Sequence, residues 1–136
     1  MQTLVTPFLM FQGRAEEALN FYCQIIPDSR IIELQRYGPE GPGKEGSVKM
    51  ARTSIGGLEV MGIDSPVEHA FTFTPSFSLF VTCRSEQEFE AIVAAIGEGG
   101  GVLMPPDNYG FSRRFAWLND RFGVSWQLNL GQLDLK

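Results

Sequence analysis

The chain has 136 residues, the length of one ordinary domain. Apolar residues make up 43% and charged residues 20%, which is typical of a globular protein and excludes a disordered one. Eleven basic and sixteen acidic residues give a net charge of −5, so we expect no binding to nucleic acid or to a membrane surface. No apolar run reaches the length of a spanning helix, and no secretion signal is recognised. Two cysteines are too few for a disulfide scaffold, so we expect a cytoplasmic location.

The first half of the chain predicts one strand, one helix and three further strands. An apolar strand is predicted over residues 3–11 and a helix over 15–26, because apolar residues there recur in one helical stripe. The three further strands are predicted over residues 30–37, 47–55 and 58–63. Gly56 and Gly57 predict a hairpin turn. Residues 38–46, rich in glycine and proline, predict a mobile loop.

The second half repeats this order. A strand is predicted over residues 76–82, and Ser85 with Glu88 three positions later is a capping box that predicts the start of a helix. The three further strands are predicted over residues 102–104, 113–119 and 124–130. Two such βαβββ modules, about 1–66 and about 74–136, predict a single α+β domain with mostly antiparallel sheets.

The start of the first predicted helix carries a sequence pattern that, together with the repeated βαβββ order, indicates a protein family. It reads Gly13-Arg14-Ala15-Glu16-Glu17-Ala18-Leu19-Asn20-Phe21-Tyr22. The chain thereby resembles the vicinal oxygen chelate superfamily, which includes glyoxalase I, bleomycin-resistance proteins and extradiol dioxygenases. Residues 57–61 with Asp64, 78–83 and 117–127 are similar to its PhnB-like branch, labelled demethylubiquinone methyltransferase-like. The resemblance implies curled mixed sheets that form a cup, with the helices outside.

The resemblance also implies where a metal would be held. Active members use one side chain from the first and the fourth strand of each module. The matching positions here are Pro7, Glu59 or Met61, Ser76 and Gln127. Proline has no side-chain ligand atom, and methionine and serine are poor ligands for a hard or borderline cation. We therefore expect no functional metal site, and strand alternation leaves open which of Glu59 and Met61 faces the cavity.

The methyltransferase label implies a large, nucleotide-like methyl donor. Such cofactors are typically held by a glycine turn that opens a helix. Residues 41–46 match G-x-G-x-x-G in letters, but Pro42 lies inside the match and a strand pattern follows it. The sequence favours a flexible loop there, and we expect no cofactor.

Six residues are predicted to contact a ligand, whereas no catalytic residue is assigned. They are Glu59, Met61, Ser76, Arg113, Trp117 and Gln127. Glu59 would have a raised pKa and could act as a base if it pointed into the cup, but strand alternation equally allows it to point outward. Gln127 belongs with Ser125 and Asn129 to a polar row that would line the cavity, or face solvent or a partner subunit. Only one of Arg113 and Arg114 can face inward and hold an anionic group.

Two hypotheses of function follow. The first is a metal-independent protein that binds a small, partly apolar molecule between curled sheets, as bleomycin-resistance proteins do. The alternative is a metal-dependent glyoxalase-like or dioxygenase-like enzyme that uses Glu59, Gln127 and the single histidine, His69. A cup filled by its own side chains is a third alternative. We expect a homodimer, because a two-fold partner would cover open sheet edges and apolar faces. Whether the modules pair within or between chains is left open.

Overall fold

The structure, a computed structural model, describes residues 1–134. The chain divides after Ala70 into two compact units. This boundary falls in the interval between the two predicted modules. Among the residues that the structure describes, no helix is long and apolar enough to cross a membrane.

The first unit contains one helix and one mixed sheet. Its elements are β1 (Phe8–Phe11), α1 (Ala15–Ile25), β2 (Arg30–Arg36), β3 (Val48–Ile55) and β4 (Leu58–Asp64). The strand order is β1-β4-β3-β2, with β1 parallel to β4 and the other pairs antiparallel. The predicted elements are confirmed, but β1 begins at Phe8 instead of residue 3. Pro7 lacks an N–H to donate to a ladder, and the residues before it are largely exposed.

Helix α1 covers one face of this sheet. Its buried stripe includes Leu19, which packs so closely against β4 that a Cβ on Gly62 would lie 3.3 Å from the Leu19 Cδ1 atom. Strand residues on the covered face alternate with residues on the opposite face. We call that opposite face the first open face. It carries Phe8, Met10, Met50, Arg52, Glu59 and Met61.

The second unit repeats the arrangement. Its elements are β5 (Ser78–Cys83), α2 (Glu86–Gly97), β6 (Gly101–Asp107), β7 (Arg114–Asn119) and β8 (Ser125–Leu130). The strand order is β5-β8-β7-β6, and only the β5–β8 pair is parallel. The predicted capping box is confirmed, because the Ser85 Oγ accepts a hydrogen bond from the Glu88 N–H at 3.1 Å. Each unit is therefore an α+β βαβββ module with a four-stranded sheet.

Helix α2 packs on one face of the second sheet through Phe89, Ile92 and Ile96, which are buried. Leu118 lies on this covered face, 3.4 Å from where a Cβ on Gly97 would be. Alternation then assigns the neighbouring strand residues to the other side. We call that side the second open face. It carries Ser78, Phe80, Thr82, Phe115, Trp117, Ser125, Gln127 and Asn129.

A buried aspartate binds backbone N–H groups from two other segments of the first unit. The Asp64 Oδ1 atom accepts hydrogen bonds from the backbone N–H groups of Gly13 at 2.7 Å and Ala15 at 3.0 Å. Its Oδ2 atom accepts from the Val48 N–H at 2.9 Å. One carboxylate thus joins the end of β4, the start of α1 and the start of β3.

Candidate functional site

An aromatic cluster lies on the second open face. Phe115 forms its centre and contacts Phe111 edge-on, with ring centroids 4.9 Å apart. Tyr109 meets Phe115 edge-on at 6.1 Å, and Phe80 lies 6.4 Å from it. Such tilted contacts are favourable between rings. Phe115 is buried but Phe80 is 46% exposed, so the cluster presents free ring surface on this face.

A polar row runs beside the cluster along β8. Ser125, Gln127 and Asn129 alternate with buried apolar residues and share the open face, as the sequence predicts. The Ser125 hydroxyl accepts a hydrogen bond from the Trp117 Nε1–H at 2.8 Å and shares another with the Ser78 hydroxyl at 2.7 Å. The orientation of the Trp117 ring is therefore fixed from within the sheet.

Gln127 is half-buried and lies between two aromatic residues. In the strand register it stands opposite Trp117 on one side and Phe80 on the other. Within residues 1–134, its carboxamide makes no hydrogen bond to the protein. A free amide between two ring systems can both donate to and accept from a bound molecule.

Asn129 is paired on one side only. Its Nδ2 donates to the Gly131 carbonyl oxygen at 2.9 Å, whereas its buried Oδ1 has no hydrogen-bond partner in the described part of the chain. A buried acceptor left without a partner costs about 1–3 kcal/mol of stability. Sequence reasoning placed Asn129 in the polar row but gave no sign of this unpaired oxygen.

Glu59 and Met61 both lie on the first open face. They are two residues apart on β4, and strand alternation places such residues on the same side. The expectation that only one of these two residues faces this side of the sheet was therefore wrong. Glu59 accepts hydrogen bonds from the Arg52 Nε at 3.2 Å and Nη2 at 3.0 Å, and Arg52 also lies 3.6 Å from a Glu33 oxygen.

This ion pair decides the charge of Glu59. The hydrogen bonds from Arg52 lower the pKa of the Glu59 carboxyl, and partial desolvation opposes them only in part. The prediction that Glu59 would have a raised pKa and act as a general base is therefore wrong. Glu59 is ionised at neutral pH, with its oxygens held by Arg52.

The remaining ligand positions do not form a metal site. Pro7 takes part only through its carbonyl, which accepts from the Met61 N–H at 2.9 Å. Ser76 is exposed, precedes β5 and is hydrogen-bonded to the Thr74 hydroxyl at 2.7 Å. The residue opposite Gln127 is Phe80, four positions beyond Ser76. Among residues 1–134, no three His, Cys, Asp or Glu side chains are grouped as metal ligands.

His69 lies outside both open faces. Its Nε2 is 2.9 Å from the Ser65 hydroxyl in the connector that follows β4. Residues of this connector line an open cavity of about 600 Å³ in the first unit. The cavity wall carries the cation of Lys44 and the acidic residues Glu45, Asp64 and Glu68.

The paired arginines are separated by strand alternation. Arg114 lies on the α2 side. Its Nη1 atom is 3.0 Å from a Glu86 oxygen and 2.9 Å from a Glu90 oxygen, and its guanidinium is 4.9 Å from the Phe89 ring centroid. Arg113 precedes β7 and is exposed. The described chain offers it no ion pair.

The two cysteines are free thiols without activation. Burial, with a smaller contribution from the charge of Glu88, raises the pKa of Cys83 to about 11. Burial also raises the pKa of Cys23. Because the thiolate is the nucleophile, neither side chain is suited to covalent catalysis at neutral pH.

Comparison with solved structures identifies the class of the fold. A glyoxylase/bleomycin resistance protein/dioxygenase domain from Frankia aligns with 97% of this chain and 93% of its own, at 14% identity and a TM-score of 0.65. The two βαβββ modules thus form a glyoxalase-like fold. The fosfomycin resistance protein FosX from Mesorhizobium loti shares this fold at 14% identity and a TM-score of 0.62, over 98% of this chain and 94% of its own.

The chain belongs to the 3-demethylubiquinone-9 3-methyltransferase family, the PhnB-like branch of the vicinal oxygen chelate superfamily, whose family model matches residues 3–129. A PhnB protein from Bacillus cereus is 50% identical, with a TM-score of 0.92 over 95% of this chain and all of its own. Protein PA1353 from Pseudomonas aeruginosa is 27% identical, with a TM-score of 0.83 over 96% and 99% of the two chains. No protein of curated function matches the chain.

The family description implies a methyl donor, and the helix starts do not fit a nucleotide-like one. The Asp64 carboxylate binds the first N–H of α1, that of Ala15, and the N–H of Gly13 just before the helix, and the start of α2 is capped by Ser85. Residues 41–46 are followed by β3 instead of a helix, so no helix start lies behind these glycines. Both helix starts are occupied by the chain's own side chains, and we derive no methyl-transfer step.

Proposed function

We propose that this protein binds a small, partly apolar, planar molecule on the second open face without a metal ion. The observation that carries the proposal is Gln127, an unpaired carboxamide between Phe80 and Trp117. Small-molecule sites typically combine aromatic walls with a few polar groups that set orientation. The second open face has both.

The chemistry of binding follows from these contacts. The ligand ring packs against Phe80 and Trp117, and its polar substituent exchanges hydrogen bonds with the Gln127 amide. The Trp117 ring is held by the Ser125 hydroxyl before any ligand arrives, so little ordering cost falls on binding. The free amide accepts a ligand N–H or donates to a ligand carbonyl.

Binding should depend on Gln127 and not on glutamines elsewhere. We expect a panel of aromatic amides, beginning with benzamide and 4-hydroxybenzamide, to contain a ligand that changes tryptophan fluorescence in titrations. Gln127→Leu should weaken its binding about tenfold, since one hydrogen bond contributes roughly 0.5–1.5 kcal/mol. The control Gln87→Leu changes an exposed residue of α2 and should leave the Kd unchanged. A panel without any binder, or equal affinities for Gln127→Leu and the parent protein, would contradict the proposal.

The metal-dependent alternative is disfavoured by the state of its two oxygen ligands. Glu59 is held by Arg52, and Gln127 lies opposite Phe80, whose side chain has no oxygen or nitrogen to act as a ligand. A ligand at about 100 times its Kd stabilises the native state by about 2.7 kcal/mol. We therefore expect no rise in melting temperature with Ni²⁺, Zn²⁺, Mn²⁺ or Fe²⁺, and no change with chelator. A rise of several degrees that Glu59→Ala or Gln127→Ala abolishes would favour the enzyme.

We further propose that the protein works in the cytoplasm as a homodimer. Both cysteines are free thiols, as in a reducing compartment. Phe8 on the first open face is 49% exposed and Val102 on edge strand β6 is 58% exposed, apolar surface that a second copy would cover. Light scattering at tens of micromolar should give about twice the 15.1 kDa of one chain. A mass of one chain would disprove the dimer.

A further inference from the structure

Asn129 and Ser125 are the two most deeply buried polar side chains of the second open face. Asn129 is 1% exposed and lies at the end of β8, opposite Thr82 and Phe115 in the register. The hydrogen bond from its Nδ2 to the Gly131 carbonyl fixes the orientation of the amide, because the carbonyl oxygen needs a donor and only the nitrogen end of the Asn129 amide can donate. The Oδ1 atom therefore points away from Gly131 and is left without a partner in the described chain.

Within the polar row of β8, only Asn129 has a buried oxygen without a partner in the described chain; the Oδ1 atom of Asn119 on the neighbouring strand β7 is unpaired as well. Ser125 belongs to the same polar row, is also 1% exposed, and has its hydroxyl paired with both Trp117 and Ser78. Buried polar groups are nearly always satisfied in native proteins, so one that is not calls for a specific reason. A donor group from outside the chain would satisfy the Asn129 oxygen.

We propose that Asn129 determines ligand specificity by accepting a hydrogen bond at Oδ1 from an O–H or N–H group on the edge of the ligand ring. The proposal rests on the function proposed above and names the ligand class. Gln127 and Asn129 are two residues apart on one strand, a separation of roughly 6.6 Å. A single benzene ring with substituents para to each other spans about this length. The ligand is thus a ring with a carbonyl or amide at one end and a hydroxyl or N–H at the other.

The ligand must displace a side chain to reach Asn129, since the Oδ1 atom is shielded from solvent. Phe115 belongs to a paired strand and stands opposite Asn129, so it is held in place. Phe111 packs edge-on against Phe115 but belongs to the irregular connection between β6 and β7. The ring of the ligand takes the position of the Phe111 ring.

The test uses two probes that differ by one hydrogen-bond donor. 4-Hydroxybenzamide and 4-methoxybenzamide share the ring and the amide, and only the first can donate to the Oδ1 atom. Calorimetric titration of the parent protein should give at least a tenfold lower Kd for 4-hydroxybenzamide. Asn129→Leu should reduce the ratio of the two Kd values to about one. Gln87→Leu on α2 is the control and should retain the full ratio.

The outcomes separate this inference from the proposed function. Equal Kd values for the two probes in the parent protein, or a ratio that survives in Asn129→Leu, would overturn the role of Asn129 while binding itself stands. Absence of binding by both probes and by benzamide would overturn the proposed function as well. Should Asn129→Leu fail to fold, Phe111→Ala decides: it should bind 4-hydroxybenzamide several-fold more tightly, and an unchanged Kd would overturn the inference.

Discussion

An Asp120→Ala variant is expected to lose about 3–5 kcal/mol of stability, because it removes the acceptor for three donors at once. Asp120 is 3% exposed and lies in the turn between β7 and β8. Its Oδ1 accepts from the backbone N–H groups of Phe122 at 2.8 Å and Val124 at 3.0 Å. Its Oδ2 accepts from the Trp126 Nε1–H at 2.9 Å, in the buried face beneath α2. In the variant, a donor that remains buried cannot replace the lost carboxylate with a water molecule.

Urea unfolding followed by tryptophan fluorescence measures this loss directly, since Trp126 is one of the partners. Asp120→Asn keeps one carbonyl oxygen as an acceptor and should lose less than Asp120→Ala. Asp107→Ala is the control, because that exposed carboxylate accepts only from the N–H of the next residue, Asn108. Its effect should stay within about 0.5 kcal/mol. A loss below about 1 kcal/mol for Asp120→Ala would show that the turn is held by other contacts.

The order of the elements could be predicted because burial acts through periodicity. The apolar stripe of α1 and the alternation along β8 are patterns that one covered face imposes on the sequence, and both are confirmed. The start of α2 could be predicted because Ser85 and Glu88 carry the capping chemistry in their own side chains.

The roles of the two buried aspartates could not be predicted. Asp64 and Asp120 stand in the sequence as two acids among sixteen, and their partners are mostly backbone N–H groups, which every residue but proline has. Only the path of the chain shows that three donors converge on each carboxylate. By contrast, the orientation of Arg114 had a signal, since Glu86 and Glu90 are four residues apart on one helix face.

The candidate site was predicted in part for the same reason. Alternation placed Gln127 in the polar row of β8, but the pKa of Glu59 depends on Arg52, seven positions away on the neighbouring strand. The spacing of residues in the sequence did not show which residues of β3 and β4 pair with each other. The unpaired oxygen of Asn129 depends on the Gly131 carbonyl, a backbone group whose direction no side-chain pattern shows.

Three glycines in succession follow α2, and we expect alanine substitutions at Gly100 and Gly101 to have different effects on stability. Gly99 has a φ of +75°, which disfavours any side chain. A Cβ on Gly100 would collide with the backbone carbonyl of Asn119 at the end of β7 and would lie 3.0 Å from the Ile96 carbonyl oxygen of α2. A Cβ on Gly101 would meet nothing within 4 Å.

Gly100→Ala should therefore lose about 2–4 kcal/mol of stability, because both obstructing atoms belong to the backbone and cannot turn aside as a flexible side chain would. Gly101→Ala, the matched control, should be neutral or gain about 0.5 kcal/mol from a less flexible unfolded chain. Thermal unfolding of the two variants side by side measures the difference. Equal melting temperatures would mean that the end of α2 and the end of β7 lie farther apart than the structure places them.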